Sequence, residues 1–289
     1  MENNKKISNL FLSVGAMKAG TTWLYTQLIN HPDIYFTPEK EIHYFANRVG
    51  IENQLKYSNR ILKLKSTIDY CSGKDPDFIS QCINKLEWYS IYANKKTIDN
   101  EWYIKLFSLK KDEKYCADFS NLYCQMDSDG WDIVRDVSKK VKVIYTLRDP
   151  FSRVWSHYKF HMKFIGREDE VLSAGFSNFR NLLEKHHFWV NAQYSKNYTR
   201  LLENLDKNEL MLLYFEDFRK NPGAMLKSVQ KFLEIREIAP AKENLNKKVN
   251  VTKDFQMPDE WKVYVQDKLR NEIENMRKLG LWHESWQKI

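Results

Sequence analysis

Residues 10–30 constrain what this chain can fold into more than any other stretch. A short apolar run of Leu10, Phe11, Leu12 and Val14 enters a turn made of Gly15, Ala16, Met17, Lys18, Ala19 and Gly20, and a helical pattern follows from Thr21. The expected local structure is strand, loop, helix. Small residues at 15, 16, 19 and 20 let the backbone curl so that N–H groups point inward, and the helix N-terminus adds partial positive charge. Such a loop is built for an anion.

The Walker A pattern needs Gly, four residues, Gly, Lys and then Ser or Thr. Gly15 and Gly20 fit it, but Thr21 stands at the lysine position and the only lysine, Lys18, lies inside the loop. The segment is therefore not a nucleoside triphosphatase loop as it stands. Lys18-Ala19-Gly20-Thr21-Thr22-Trp23 instead closely resembles the 5′-phosphosulfate loop of the sulfotransferases that use 3′-phosphoadenosine 5′-phosphosulfate (PAPS). That resemblance implies that Lys18, Ala19, Gly20, Thr21 and Thr22 hold the 5′ end of the donor. It also implies that Trp23 stacks on adenine, although a tryptophan early in a core helix is as often plain packing.

Along the rest of the chain, strand and helix patterns alternate. Val141 to Leu147 is the strongest strand signal, because β-branched residues dominate a run short enough for a buried parallel strand. Strands are also expected at Ile34–Phe36, Tyr115–Phe119 and Leu210–Phe215. Helical patterns fall at Phe78–Leu86, Glu101–Leu109, Trp131–Ser138, Phe151–Phe164, Phe176–His187, Asn191–Leu205, Ala224–Leu233 and Trp261–Leu279. Gly280 is placed to cap the last of these. The alternation predicts an α/β fold, one domain over 1–289, with a central parallel sheet covered by helices on both faces. Residues 47–100 are polar with scattered aromatics and read as an insertion that carries acceptor specificity.

In open parallel sheets, ligands bind beyond the carboxyl ends of the strands. The Gly15–Gly20 loop and Arg148 each directly follow a strand, so they can serve one ligand from two sides. Arg148-Asp149-Pro150, with Arg153 and Ser156, resembles the sulfotransferase motif for the nucleotide 3′-phosphate, in which the Arg and the Ser make the contacts. A guanidinium pairs with phosphate oxygens through two hydrogen bonds, and the serine adds a neutral donor.

Glu41-Ile42-His43-Tyr44-Phe45 resembles the Glu-x-His-Phe-Phe segment of the Golgi heparan sulfate O-sulfotransferases and their bacterial relatives. The resemblance makes Glu41 the general base that takes the acceptor hydroxyl proton, with a pKa raised by partial desolvation. His43 is the alternative base, as in the cytosolic branch. Lys253 matches a late basic residue that closes over the 3′-phosphate, but Asp254 stands where a glycine commonly follows. Ala117-Asp118-Phe119-Ser120 departs from the family in lacking a lysine. The aromatics Tyr44, Tyr158, Phe160 and Trp189 serve either the acceptor cleft or the core.

The totals agree with a folded enzyme of this kind. Of 289 residues, 43% are hydrophobic, and a formal net charge of +8 suits a polyanionic nucleotide, an anionic glycan, a membrane surface or nucleic acid. The basic residues are scattered, so nucleic acid is not expected as a partner. The polar N-terminus and short first apolar run argue against a signal peptide or membrane span and for a cytoplasmic protein. Cys71, Cys82, Cys116 and Cys124 lack metal or disulfide spacing and read as reduced thiols, and no metal is expected. Asn197 and Asn250 begin glycosylation patterns that matter only in a secreted chain.

The expected activity is sulfuryl transfer from PAPS to a hydroxyl, or in second place an amine, of a small-molecule or glycan acceptor, carbohydrate or lipid-linked. The rivals are a kinase or triphosphatase with a degenerate loop, and a nucleotide-binding module without turnover.

Overall fold

The computed structural model describes residues 6–185, 188–239 and 253–286. Five strands, β1 (Ile7–Gly15), β2 (Ile34–Phe36), β3 (Tyr115–Phe119), β4 (Ser138–Leu147) and β5 (Leu210–Tyr214), form one sheet in the order β2-β3-β1-β4-β5. Every pairing is parallel.

Side chains alternate across a strand, and here both faces are dry. On β1 and β4, Leu10, Leu12, Val14, Val141, Val143, Tyr145 and Leu147 join one core cluster, while Phe11 and Ile144 join a second on the opposite face. The first face is covered by Trp102 and Tyr103 of α5 (Asn100–Lys105), Trp131, Val134 and Val137 of α6 (Ser128–Val137), and Tyr194 and Leu201 of α9 (Tyr194–Asn204). The second is covered by Leu24 and Leu28 of α1 (Thr21–Leu28), Phe218 of α10 (Phe215–Lys220), and Leu226, Val229 and Leu233 of α11 (Pro222–Leu233). A third cluster joins Val154 and Tyr158 of α7 (Pro150–Phe164), Phe179 and Leu183 of α8 (Gly175–Lys185), and Trp261, Val265 and Leu269 of α12 (Asp259–Lys278).

The strand order explains where the site lies. After β1 the chain runs outward to β2 and returns through β3, whereas after β4 it runs to β5 on the other side. The loops following β1 and β4, which are neighbours in the sheet, therefore leave in opposite directions and open a crevice between them.

The 47–100 segment is helical. After the short helix α2 (Tyr44–Arg48), α3 (Tyr57–Cys71) and α4 (Pro76–Ala93) pack as an antiparallel hairpin. Asp75 caps α4 by accepting from the Phe78 N–H at 3.0 Å, and Pro76 follows at its first position. Several expected boundaries moved: the helix expected over 101–109 ends at Lys105, and the strand expected from 141 begins at Ser138. The helix expected over 191–205 is a short 3-10 turn at Val190–Ala192 followed by α9, and the 78–86 helix extends to 76–93. The chain after Gly280, which has φ 68°, packs back through buried Leu281 and Trp286. Asn197 is buried, while Asn250 lies outside the described residues.

Candidate active site

The first loop owes its shape to backbone that only small residues fit. Gly15 has φ 134°, and a Cβ there would come within 2.8 Å of the Asn121 carbonyl oxygen; Gly20 has φ 94°, and a Cβ would meet Phe215 at 2.7 Å. Lys18 is itself left-handed at φ 67°. Alternating handedness of this kind turns successive N–H groups toward one point. Gly20 is the N-cap of α1 and offers no side-chain cap, so the first N–H groups of the helix are left for an anion. The loop is pinned to the sheet where the Ala16 N–H donates to the Thr146 carbonyl at 2.8 Å.

Arg148 reaches this loop from β4. Its Nη1 donates to the Lys18 carbonyl oxygen at 3.2 Å, and its guanidinium lies 4.7 Å from the Phe215 ring centre. Among the described residues no ion pair joins it to a carboxylate, Asp149 included. Asp149 instead caps α7 by accepting from the Ser152 N–H at 2.7 Å. Burial pushes the Arg148 pKa down. Lys18 is lowered to about 8, first by burial and next by the Arg148 charge, with Glu41 opposing. Its ammonium sits 3.9 Å from the Phe160 ring centre. Two largely desolvated cations thus face one space, an arrangement that an anion between them relieves.

Glu41 stands on the third side. Its Oε1 accepts from Lys40 Nζ at 3.1 Å and Asn121 Nδ2 at 3.2 Å, and its Oε2 lies 3.3 Å from His43 Nε2. Lys40 Nζ also donates to Thr22 Oγ1 at 3.1 Å, which ties the carboxylate to the anion loop. The expectation of a raised pKa at Glu41 is corrected here. Burial alone would raise it, but the His43 hydrogen bond and the Lys40 charge outweigh burial and hold the carboxyl below the ordinary glutamate value. Glu41 is therefore held in its ionised form. His43 is held by its backbone, left-handed at φ 59°, whose N–H donates to Ser120 Oγ at 2.9 Å. Ser120 in turn donates to Asp118 Oδ1 at 2.6 Å. Asp118 is fully buried and accepts from Tyr123 and Tyr103 as well, while burial pushes its pKa up. These contacts leave the His43 ring with Nε2 turned to Glu41.

The other expected residues divide. Thr21 is buried at the start of α1, and Thr22 faces Lys40. Ala19 is buried in the core and its N–H donates to the Ala16 carbonyl at 3.1 Å, so it shapes the loop and its N–H is not turned to an anion. Trp23 is half-buried with one face stacked on Phe218 at 4.9 Å. Ser156 is half-buried on α7, two turns beyond Arg148, while Arg153 is fully buried and donates through Nη2 to the Phe188 carbonyl at 3.3 Å, its Nε and Nη1 having no hydrogen-bond partner among the described residues. Lys253 is not brought to the loops in this structure. Its ammonium pairs with Asp169 and its N–H donates to Glu168 at 3.0 Å. Val251 and Thr252 beside it lie outside the described residues. Tyr44 and Tyr158 belong to the core, Tyr44 stacking on Tyr103 at 4.7 Å. Sequence reasoning missed Lys40 and Asn121 as partners of Glu41. Asn121 follows β3 at its carboxyl end, the one signal that marks it.

The sulfotransferase domain family matches residues 9–277. The chain belongs to the sulfotransferase family. Membership makes it a PAPS-dependent sulfotransferase, and the loop geometry fits that donor. Its fold is that of known sulfotransferase structures. The enzyme from Alicyclobacillus acidocaldarius aligns over 96% of this chain and 98% of its own, with 18% identity and TM-score 0.65. The sulfotransferase domain of the Synechococcus PCC 7002 olefin synthase aligns over 96% of both chains, with 14% identity and TM-score 0.52. That of the curacin biosynthetic pathway covers 84% of this chain and 77% of its own, with 18% identity and TM-score 0.50. No curated protein sequence matches the sulfotransferase. Among the described residues no helix is long and apolar enough to cross a membrane.

Proposed function

We propose that this sulfotransferase modifies a hydroxyl of a carbohydrate or lipid-linked sugar, with Glu41 as the base. The observation that carries the proposal is the bond from Arg148 to the Lys18 carbonyl, which joins two cationic loops into one site beside an ionised Glu41. The donor supplies the sulfuryl group. The N–H groups of Gly20, Thr21 and Thr22 hold its 5′-phosphate, with Ala19 shaping the loop, Trp23 stacks on adenine, and Arg148 and Ser156 take the 3′-phosphate. Lys253, on an exposed segment, would close over that phosphate only after leaving Asp169. Lys18 neutralises charge that develops on the bridging oxygen, and fixed charges of this kind are usually the largest catalytic contribution. Glu41 accepts the acceptor proton, and His43 and Lys40 hold it in place.

Four buried free thiols accord with a cytoplasmic setting. The reading is tested with radiolabelled PAPS against saccharide, glycolipid and phenolic acceptors. Label should pass to saccharides or glycolipids; transfer confined to apolar phenols would overturn the carbohydrate assignment.

A further inference from the structure

His43 reaches Glu41 from a backbone that histidine rarely adopts. Its φ of 59° lies in the left-handed region, where a residue other than glycine persists only if the surroundings hold it. Two hydrogen bonds do so. The His43 carbonyl accepts from the Asn47 N–H at 2.9 Å at the start of α2, and the His43 N–H donates to Ser120 Oγ at 2.9 Å. The ring has less to hold it. Its Nε2 meets Glu41 at 3.3 Å, it stands edge-to-face with Tyr123 at 6.3 Å, and Nδ1 is buried without a partner among the described residues. The backbone therefore sets where the imidazole points.

Ser120 is itself held from behind. It is fully buried just past the carboxyl end of β3. Because its oxygen accepts from the His43 N–H, its own proton is free for Asp118 Oδ1 at 2.6 Å. Asp118, buried on β3, also accepts through Oδ2 from Tyr123 at 2.7 Å and Tyr103 at 3.1 Å. It has no ion pair among the described residues, so three hydroxyls alone satisfy its carboxylate. A continuous hydrogen-bonded chain thus runs from Asp118 through Ser120 and His43 to Glu41. It starts in the 117–120 segment that lacks the lysine.

We propose that Ser120 and Asp118 are positioning residues for the base: Asp118 fixes the Ser120 hydroxyl, Ser120 fixes the left-handed backbone of His43, and that backbone aims the imidazole at Glu41. This inference rests on the reading of Glu41 as the base. Three groups that carry or can take a positive charge face Glu41: Lys40 beside it, His43, and Lys18 from the loop after β1. Of these, the hydrogen bond from His43 does most to hold the carboxyl below the ordinary glutamate value against burial. Cutting the Ser120 link should therefore let the Glu41 pKa rise.

The test is carbon-13 NMR titration of protein labelled at the glutamate carboxyls, with Glu41→Gln assigning the Glu41 resonance. Parent, Ser120→Ala, Ser120→Cys, His43→Ala and the Ser120→Ala/His43→Ala double variant are compared. Thermal melts check that each folds, and Ser120→Cys carries the test should Ser120→Ala not fold. Ser120→Ala should raise the Glu41 pKa, and Ser120→Cys, with a weaker acceptor of similar size, should raise it less. In the His43→Ala background Ser120→Ala should leave it nearly unchanged, because the link acts through the imidazole. With labelled PAPS and saccharide acceptors, Ser120→Ala should lower kcat by about 10- to 100-fold, the range of a misplaced reacting group, while affinity for adenosine 3′,5′-bisphosphate holds. A Glu41 pKa that stays at the parent value in the folded Ser120 variants, or an equal rise with and without His43, would overturn the inference. Full activity in Glu41→Gln would instead overturn the base assignment on which it rests.

Discussion

Lys18 should take up a proton when the nucleotide binds. In the free protein its pKa is lowered from 10.5 to about 8 by burial and by Arg148, so it is charged below pH 8 and neutral above it. An anion seated in the loop favours the charged form and raises the pKa again, so binding draws protons from solution between about pH 8 and the ordinary lysine value. Taking the free value as about 8 and the bound value as well above 9, uptake by this group is about 0.1 proton at pH 7, about 0.5 at pH 8 and about 0.9 at pH 9. Calorimetry of adenosine 3′,5′-bisphosphate binding, repeated in buffers of different ionisation enthalpy, measures the number directly. Phosphate groups with a second pKa near about 6 add their own contribution, so the quantity to read is the difference between the parent and Lys18→Ala. That difference should grow from pH 7 to pH 9. A difference near zero at pH 8 and 9 would mean that Lys18 does not face the bound phosphates.

Lys18→Ala should also lower kcat by about 100- to 1000-fold with a smaller change in nucleotide affinity, because the charge that it meets grows in the transition state; near-parent turnover would remove it from the reacting centre. Glu41→Gln should slow transfer by about 100-fold or more while donor binding survives, and the parent's acid limb should fall below the ordinary glutamate value, since Glu41 is held low. An active Glu41→Gln with an inactive His43→Ala would give the role to His43. Gly15→Ala places a methyl group 2.8 Å from the Asn121 carbonyl in backbone at φ 134°, so it should lower the Tm by at least about 2 °C and weaken nucleotide binding. An unchanged melt and affinity would show that the loop tolerates the added atom.

The sheet and its loops were legible because their signals are local. β4 is a β-branched run, and Gly15 and Gly20 mark backbone that other residues fit poorly. Of the α3–α4 hairpin, α4 was legible in part as the helix over 78–86, whereas α3 was not, for a physical reason. Its buried positions on α3 are Arg60, Thr67 and Cys71, while Ile61, Leu62, Ile68 and Tyr70 are exposed, so no apolar stripe announces the helix. Arg60 anchors it instead, donating to the Leu55, Tyr92 and Lys95 carbonyls at 3.1, 2.6 and 2.6 Å. In the site, Glu41 and His43 could be named because they are neighbours in sequence. The contact from Asn121 to Glu41 spans 80 residues, and the direction of the Glu41 pKa depends on which cation turns toward it.

The central claim is that the two loops bind the two ends of one nucleotide. A donor with phosphate at both ends explains why Arg148 meets the Lys18 loop across the β1–β4 crevice, where a 5′-phosphate alone would need only the first loop. Calorimetry with adenosine 3′,5′-bisphosphate and adenosine 5′-monophosphate on the parent and Arg148→Ala tests this directly. The parent should bind the bisphosphate far more tightly, and Arg148→Ala should erase about 10- to 150-fold of that preference while leaving the monophosphate nearly unchanged. Equal affinity of the parent for the two nucleotides would contradict it.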